Sequence, residues 1–189
     1  MKQIAIFASG KGSNADNICN YFAHHPEINI RLIVSDRKSA GVFDVARKHG
    51  VESLYVNKGG WQHPEGLTIE LQKREIGFIV LAGFLKLIPK ALIHDFNRKI
   101  INIHPALLPK YGGKGMFGMH VHESVYRAKE KETGISIHYV NEHYDNGDII
   151  FQEKTMLHPN DSPEQIAERI HQLEMKHFPK EIEKIVLAG

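Results

Sequence analysis

The sequence predicts an α/β protein with a doubly wound, mostly parallel sheet, and three features lead to this prediction. Short β-branched runs alternate with helical patterns in the first half of the chain, which is typical of βαβ units. Several of these runs are nearly all apolar, as expected for strands that helices cover on both faces. A glycine-containing loop follows the first run, at the position where α/β sheets bind ligands.

The first half of the chain supplies five predicted strands and the helices that connect them. The strands are Gln3–Ala8, Asn29–Ser35, Glu52–Val56, Gly77–Ala82 and Lys99–Ile103. A helix is predicted from about Asn14, and its apolar face consists of Ala15, Ile18, Cys19 and Phe22. Two further crossover helices are predicted at Leu67–Glu75 and Lys90–Phe96.

The pattern changes after His104. Residues 105–122 contain two prolines and four glycines, which predicts a long loop of the kind that is often functional. A short helix is then predicted near Glu123–Ala128. Two strands, Gly134–Val140 and Ile149–Leu157, flank the segment Asn141–Asp148.

A clear helix start marks the last element. Ser162 is the expected cap, Pro163 takes the first helical position, and Gln165 completes a capping box. The apolar stripe of this helix is Ile166, Ile170 and Leu173, with Glu174 at its edge. We expect the helix to end about ten residues before the end of the chain.

Length and composition fit one domain, residues 1–189, that acts on small molecules. A chain of this size buries roughly 70% of its unfolded surface in a single core. The formal net charge is only +2, which argues against a dedicated nucleic-acid surface. Cys19 is the only cysteine, so an intramolecular disulfide and a cysteine-based zinc site are excluded. The first apolar run is too short for a membrane span or a signal peptide, so we expect a cytoplasmic protein without membrane partners.

The loop Ser9-Gly10-Lys11-Gly12-Ser13-Asn14 predicts an anion site. It joins a buried strand to a helix N-terminus, where free N–H groups and the helix dipole favour negative charge. Two alternatives stay open on these residues. The loop could be a tight turn capped by Ser13 or Asn14. It also matches a dinucleotide fingerprint, with Asp36 at the end of the second strand, as in an NAD(P)-dependent oxidoreductase.

A second group of residues, Asn102, His104 and Asp145, predicts an oxyanion site. Alternation along the fifth strand places Asn102 and His104 on the same side, and an amide beside an imidazole suits a developing oxyanion. A nearby carboxylate would raise the pKa of the imidazole and keep it charged. Asp145 is the best candidate for that carboxylate, and Asp148 is the competitor. Taken singly, each residue also fits a structural role.

Four motifs in order make the chain resemble the folate-dependent formyltransferases. Residues 102–109, Asn-Ile-His-Pro-Ala-Leu-Leu-Pro, resemble that family's N-x-H-P-S-L-L-P signature. Residues 80–84 resemble the strand end that lines the folate pocket, and residues 144–148 resemble the L-D-x-G-x loop. Together with the loop at residues 9–14, they resemble the members that formylate glycinamide ribonucleotide. The resemblance implies a Rossmann-like formyltransferase fold, with a ribonucleotide-binding N-terminal half and a C-terminal half for folate and the catalytic loop.

The resemblance also implies a reaction and a set of site residues. The formyl group of 10-formyltetrahydrofolate, a co-substrate, passes directly to the substrate amine in purine synthesis, without a metal. Asn102, His104 and Asp145 are the implied catalytic residues, with His138 in a supporting role. The ribonucleotide contacts are Gly12, Ser13 and Asn14 at the phosphate and Glu174 at the glycinamide side. The implied folate contacts are Leu85, Lys86, Leu87, Ile88, Asn102, Asn141, Glu142, His143, Tyr144 and Asp145.

The sequence departs from the family pattern in its predicted folate pocket. Lys86 stands where an arginine is common, so a bidentate contact is lost. No arginine occurs between Lys58 and Lys73, where the family often has one that reaches the folate. Ala106 replaces the usual serine. The loop Gly112–Met119 is expected to form a glycine-rich mobile flap.

Other activities fit the sequence less well. A methionyl-tRNA formyltransferase normally carries a further C-terminal domain for its tRNA, and a formyltetrahydrofolate hydrolase usually has an N-terminal regulatory domain. An oxidoreductase leaves the pairing of Asn102 with Asp145 without a purpose. A metal site at His120-x-His122 lacks a matched second pair, and an exposed loop explains these histidines better. We therefore expect an enzyme with small-molecule substrates that is a monomer or a homodimer.

Overall fold

One seven-stranded sheet organises the part of the chain that the computed structural model describes, residues 1–188. Its strands are β1 (Lys2–Phe7), β2 (Ile28–Ser35), β3 (Glu52–Tyr55), β4 (Ile76–Leu81), β5 (Ile100–His104), β6 (Glu132–Tyr139) and β7 (Ile149–Met156). The order across the sheet is β3-β2-β1-β4-β5-β6-β7. The pairs from β3 to β5 are parallel, whereas β6 and β7 pair antiparallel. The prediction of a doubly wound, mostly parallel sheet is confirmed, and all seven strands lie within two residues of their predicted bounds.

Helices cover both faces of the sheet. They are α1 (Ser13–Phe22), α2 (Val42–His49), α3 (Lys58–Gln62), α4 (Glu65–Lys73), α5 (Lys90–Asp95), α6 (Met119–Arg127) and α7 (Pro163–Ala188). Alternate residues of β1 face opposite sides. Ile4 and Ile6 pack in a core with α1, α2 and α7, while Ala5 and Phe7 pack with α3, α4 and α5. Burial on both faces explains the nearly continuous apolar sequence of this strand.

The structure corrects the predicted loop at residues 105–122. The loop ends at Gly118, because α6 begins at Met119 rather than near Glu123. Val121, His122 and Val125 form the buried side of this helix, so the interpretation of His122 as an exposed loop residue is wrong.

The last helix confirms its predicted start and extends further than expected. Ser162 N–H donates to Gln165 Oε1 at 2.8 Å, and Gln165 N–H donates to Ser162 Oγ at 3.3 Å, which together form the capping box. α7 continues through Pro179 to Ala188, although an internal proline removes a helical hydrogen bond. Phe178 lies just before the proline, Ile182 and Val186 lie after it, and all three are buried. Their packing holds the last turns of the helix against the sheet. Within residues 1–188, none of the helices combines the length and the apolar character needed to cross a membrane.

The carboxyl ends of β1 and β4 meet at the point where the strand order reverses, which is where open α/β sheets bind ligands. The loops that follow these strands are joined directly. Ser9 N–H donates to the carbonyl of Gly83 at 3.1 Å, and Leu85 N–H donates to Ser9 Oγ at 3.1 Å. The neighbouring end of β5 carries Asn102 and His104, so three predicted site segments converge at one edge of the sheet.

Candidate active site

A cavity of about 540 Å³ lies at this edge of the sheet. Its wall contains Asn102, His104 and Asp145, and we call it the triad cavity. The remaining wall comes mainly from Asn14 in α1, from the loop after β4, from residues 113–118, and from α6 and α7. The cavity therefore joins the residues predicted to be catalytic with Asn14 and Glu174, two of the residues predicted to bind the ribonucleotide.

Asn102 is held in place by the strand opposite it. β5 and β6 pair so that Asn102 lies directly across from His138, and Asn102 Nδ2 approaches His138 Nε2 at 3.1 Å. His138 Nδ1 lies 2.8 Å from the carbonyl oxygen of Tyr139, which requires a proton on Nδ1. In the neutral ring, Nε2 must then accept from the Asn102 amide. The side chain predicted to be supporting thus fixes the orientation of Asn102.

His104 is almost completely buried and has a defined partner on each ring nitrogen. Nε2 lies 2.7 Å from the carbonyl oxygen of Tyr111, to which it donates, and Nδ1 lies 3.5 Å from Asp145 Oδ2. Burial lowers the pKa of His104 below its ordinary value, while Asp145 and the Tyr111 carbonyl act in the opposite direction. The sequence predicted the influence of Asp145 correctly, but burial outweighs it. The net effect favours the neutral ring, opposite in direction to the expectation of a charged imidazole.

Asp145 connects the other members of the site. Its Oδ2 accepts the backbone N–H of Gly113 at 3.0 Å, and its Oδ1 lies 3.4 Å from Asn102 Nδ2 and 3.6 Å from His138 Nε2. Burial raises the pKa of Asp145, but His138, His104 and the Gly113 amide together outweigh it, and the net pKa is lowered. The group is a carboxylate at neutral pH. It is held on a backbone with a φ of 50°, a conformation that costs energy for a residue with a side chain.

Asp148, the competing acid, points away from this cluster. Its carboxylate is exposed and pairs with Arg98 at 2.7 Å. The geometry therefore favours Asp145 over Asp148 as the carboxylate of the site.

The residues predicted to bind the ribonucleotide fall into two places. Asn14 Nδ2 donates to Glu174 Oε2 at 2.9 Å across the triad cavity, and His171 Nδ1 lies 3.4 Å from the same oxygen. This carboxylate raises the pKa of His171. Gly12 and Ser13 do not line the triad cavity. They border a shallow hollow on the surface, beside Lys11 and Lys48.

Gly12 forms the start of α1 in a conformation that favours glycine. Its φ is 85°, and a Cβ here would lie 2.9 Å from Val42 Cγ2. No side chain caps the helix, so the alternative of a turn capped by Ser13 or Asn14 is not what the structure contains. The N–H groups of the first turn are left available to an anion.

The dinucleotide alternative depends on Asp36, which already has partners. Its Oδ1 accepts the Ser9 hydroxyl at 2.6 Å, and its Oδ2 lies 3.8 Å from Lys86 Nζ. Asp36 and Lys86 thus join the loops after β2 and β4.

Most of the predicted folate contacts surround a second, smaller cavity that adjoins the triad cavity. Its wall contains Lys86, Leu87, Ile88, Asn102, Asn141, His143, Tyr144 and Asp145. Leu85 lines the triad cavity instead. Glu142 lines neither of the two, and its carboxylate pairs with Lys90 at 2.5 Å on the surface. The prediction of Glu142 as a folate contact does not agree with this position.

Four residues that sequence reasoning missed also shape the site. The Tyr111 carbonyl and the Gly113 amide bind His104 and Asp145. His122 and His171 line the triad cavity from α6 and α7. Backbone contacts leave no signal in a sequence, but the spacing of Val121, His122 and Val125 could have indicated a buried helical side. Within residues 1–188, no cluster of three or more His, Cys, Asp or Glu side chains is arranged to hold a metal ion.

Comparisons with known proteins agree on one family. A family model described as formyl transferase matches residues 2–182. The chloroplastic phosphoribosylglycinamide formyltransferase of Arabidopsis thaliana is 38% identical over 185 residues, which are 94% of this chain and 63% of the plant protein. The chain spans about three fifths of the length of the plant relatives that it matches. The phosphoribosylglycinamide formyltransferase of Bacillus subtilis is 35% identical over 193 residues, with 98% of this chain and 95% of that protein covered.

Solved structures give the same result. The phosphoribosylglycinamide formyltransferase of Bacillus halodurans superposes with a TM-score of 0.88 at 31% identity, covering 98% of this chain and 95% of that one. The glycinamide ribonucleotide transformylase 1 of Geobacillus kaustophilus has a TM-score of 0.85 at 34% identity, with 95% of each chain covered. The similarity therefore extends over nearly the whole chain and includes its fold.

Proposed function

Because the chain belongs to the formyl transferase family, we propose that it transfers the formyl group of 10-formyltetrahydrofolate to the amine of 5'-phosphoribosylglycinamide, a step of de novo purine (IMP) biosynthesis. The resemblance predicted from four motifs is confirmed by the comparisons. Relatives that carry the name of this enzyme match nearly the whole chain. This similarity supports the choice of substrates.

One observation carries the proposal: the Asp145 carboxylate lies within 3.6 Å of His104, Asn102 and His138 on the wall of the triad cavity. A direct formyl transfer requires a group that takes a proton from the attacking amine and groups that stabilise a negative oxygen. The cluster supplies both kinds of group, from the buried His104 and His138 and the half-buried Asn102 and Asp145. No covalent enzyme intermediate is needed.

His104 and Asp145 would together move the proton. The lowered pKa leaves His104 neutral before substrate binds, so it can accept the proton that the amine loses on attacking the formyl carbon. The resulting imidazolium faces Asp145 through Nδ1 and is stabilised by the carboxylate. As the carbon–nitrogen bond to the folate breaks, its electron pair stays on the folate nitrogen, which takes up the proton. His104 therefore becomes positively charged only when it takes the proton from the substrate amine.

Asn102 would stabilise the oxyanion only after a change of partners. As the formyl π electrons move to oxygen, the tetrahedral species needs a donor. In the structure, the Asn102 amide nitrogen is directed at His138 and Asp145. The contact with Asp145 is long, at 3.4 Å, and is the weaker of the two. We expect the amide to turn toward the formyl oxygen while its contact with His138 persists.

The ribonucleotide would lie between the start of α1 and the triad. The free N–H groups at Ser13 and Asn14 suit its phosphate, and the positive φ of Gly12 lets the backbone approach closely. Glu174 and Asn14 line the path from there to His104. Gly12 and Ser13 lie outside the triad cavity, so the phosphate would bind beside them and the amine would lie within the cavity.

The folate would lie against the wall of the smaller cavity, whose volume of about 50 Å³ can hold only a small part of it, and would reach the triad cavity past Asn102, Tyr144 and Asp145, which line both. Leu87 is exposed and the neighbouring Ile88 is buried, which gives this region an apolar wall. Lys86 contributes a positive charge at its rim. The cytoplasmic location and the monomeric or homodimeric state stay predictions.

The assay that tests this function follows folate release spectroscopically from 10-formyltetrahydrofolate, with and without 5'-phosphoribosylglycinamide. Release that depends on the ribonucleotide supports the transferase. Release at the same rate with water alone would support a hydrolase instead. Binding of a nicotinamide dinucleotide, with no effect of the ribonucleotide on folate release, would contradict the proposal and favour an oxidoreductase.

A further inference from the structure

Tyr111 holds the His104 ring through its backbone, and that backbone has an unusual conformation. The Tyr111 carbonyl accepts from His104 Nε2 at 2.7 Å. The φ of Tyr111 is 57°, in the left-handed region that costs energy for a residue with a side chain. Such a conformation persists only where the surrounding contacts enforce it. The position of the His104 ring therefore depends on the contacts that hold Tyr111.

The side chain of Tyr111 is held at its ring and at its hydroxyl. The half-buried ring packs against the core that α1, α2 and α7 form with the sheet. The hydroxyl donates to Glu130 Oε1 at 2.8 Å. Burial and then the Glu130 carboxylate raise the pKa of Tyr111 to about 12, so the hydroxyl remains a donor at neutral pH. This hydrogen bond links the loop after β5 to the segment that follows α6.

Glu130 is itself fixed by the way α6 ends. Glu130 N–H donates to the Val125 carbonyl at 3.3 Å, and Lys129 N–H donates to the Tyr126 carbonyl at 3.0 Å. These two bonds form a Schellman motif, and the φ of 52° at Lys129 is the positive value that this motif requires. The half-buried Glu130 therefore presents its carboxylate from a defined backbone.

Lys110 shares the same acceptor atom but is not held in the same way. Its Nζ lies 2.9 Å from Glu130 Oε1, and 68% of its side chain is exposed. Lys110 and Tyr111 lower the pKa of Glu130, which is a carboxylate at neutral pH. Exposed ion pairs contribute little to stability. Of the two contacts, only the one from the packed Tyr111 side chain can fix the loop.

We propose that Glu130 is a positioning residue that acts on His104 through Tyr111. Its carboxylate holds the Tyr111 hydroxyl, this contact helps to maintain the positive φ of Tyr111, and the Tyr111 carbonyl then holds His104 Nε2. The imidazole is thereby kept with Nδ1 beside Asp145. The effect on catalysis rests on the proposed function, whereas the effect on the His104 ring does not.

The test compares four variants of the full chain. Glu130→Ala removes the acceptor, Glu130→Gln keeps an acceptor oxygen without the charge, and Tyr111→Phe removes only the hydroxyl. Lys110→Gln is the matched control, because it changes the other donor to the same oxygen. NMR follows the ring N–H signal of His104, assigned with His104→Gln, and initial rates give kcat and both KM values. Thermal unfolding shows whether each variant is folded.

We expect Tyr111→Phe and Glu130→Ala to move the His104 Nε2–H signal and to speed its exchange with water, because the bond to the Tyr111 carbonyl loosens. The kcat should fall roughly 10- to 100-fold, the order expected when a catalytic group is slightly misplaced. Both KM values should stay the same. Adding Glu130→Ala to Tyr111→Phe should cause no further loss, because both changes remove one contact. Glu130→Gln should recover most of the kcat, and Lys110→Gln should match the wild type.

An unchanged His104 signal in folded Tyr111→Phe and Glu130→Ala would overturn the proposal, even where kcat falls. So would losses of kcat that add in the double variant, or an equal loss in Lys110→Gln. If Glu130→Ala does not fold, Tyr111→Phe, which lacks a single oxygen atom, still decides by its His104 signal. A wild-type protein that does not formylate the ribonucleotide would refute the proposed function, while the His104 signal would still test the role of Glu130.

Discussion

Asp145 Oδ2 lies 3.5 Å from His104 Nδ1, although the two residues are 41 positions apart in the chain. The same oxygen accepts the backbone N–H of Gly113, so the carboxylate is fixed from the loop that follows β5 as well as from its own loop. The opposite nitrogen of His104 is bound to the Tyr111 carbonyl. The neutral imidazole is therefore held through Nε2, and its unprotonated Nδ1 lies beside the carboxylate that would stabilise it once it takes up a proton.

Replacing Asp145 with asparagine should reduce turnover by at least ~10²-fold, because the variant loses the negative charge that stabilises protonated His104. Binding of the ribonucleotide should change little, since Asp145 lies at the reacting end of the cavity. Steady-state kcat and calorimetric Kd values measure the two effects separately.

The matched control for this variant is Asp148→Asn. Asp148 is exposed and pairs with Arg98, away from His104, so its replacement should leave kcat within a few-fold of the wild type. If Asp148→Asn lost turnover and Asp145→Asn kept it, the assignment of the carboxylate would be reversed.

The pKa of His104 should lie below its ordinary value of 6.5, and Asp145→Asn should lower it further. Burial disfavours the charged ring, and the carboxylate is the strongest opposing influence. NMR titration of the ring Cε1–H signals measures both values, with His104→Gln used to assign the resonance. A pKa above 6.5 in the wild type without substrate would contradict the prediction, and a pKa above the assay pH would show that the imidazole is mostly charged before substrate binds.

Buried histidines should also make folding stability depend on pH. The folded-state pKa values of His104, His122 and His177 are lowered, whereas that of His171 is raised and acts in the opposite direction. Because the three lowered values outnumber it, we expect the unfolded chain to bind more protons than the folded chain below about pH 6.5. The free energy of unfolding should be highest above this pH and should fall as the pH decreases toward the folded-state values. Urea unfolding at a series of pH values between roughly 5 and 8, the range in which histidine titrates, measures how the free energy of unfolding changes with pH. A rise in stability on acidification through this range would contradict it.

Glu174→Gln should raise the KM for the ribonucleotide by roughly 10- to 100-fold, as for the loss of hydrogen bonds to a charged group. The KM for the formyl donor should stay the same, because Glu174 lies on the α1 side of the triad cavity and contacts Asn14. Initial rates with each substrate varied in turn measure both constants. A change confined to the formyl donor would place Glu174 in the folate site instead.

Gly147→Ala should destabilise the protein by about 1–3 kcal/mol or more, as is typical of overpacking. A Cβ at this position would lie 1.8 Å from the carbonyl oxygen of Tyr139, and backbone cannot move aside as a side chain can. Gly66→Ala in α4 is the control, since no atom lies within 4 Å of its added Cβ. Alanine is the better helix former, so the control should be neutral or up to about 1 kcal/mol more stable. Equal melting temperatures for the two variants would show that the Asp145 loop tolerates the added methyl group.

The sequence was sufficient to predict the sheet because its strands are buried on both faces and stand out as apolar runs. It did not reveal α2 or α3, which are short. α2 has a mixed surface, and only its Gly50 end carries a strong helix-stop signal. The predicted end of α7 was also wrong. A proline such as Pro179 usually ends a helix, but Phe178 and Ile182 pack against the core and the helix continues.

Parts of the site formed by residues that are close in the sequence could be predicted. Contacts between residues that are far apart in the sequence could not. Alternation places Asn102 and His104 together, and the structure agrees. The contact between Asn14 and Glu174 joins residues that are 160 positions apart, and no local sequence pattern predicts it. The net charge state of His104 depends on the degree of burial, which a sequence does not specify. The same holds for His122, whose burial follows from how α6 packs.

The most direct test of the central claim uses 10-formyltetrahydrofolate labelled with ¹³C in its formyl group, mixed with 5'-phosphoribosylglycinamide and the wild-type protein. NMR then follows the label. The account predicts that the label moves to the glycinamide nitrogen as a formamide, and that this signal is lost when Asp145→Asn replaces the wild type. Label that ends as free formate, or that stays on the donor, would contradict the assignment of the triad cavity as the site of formyl transfer.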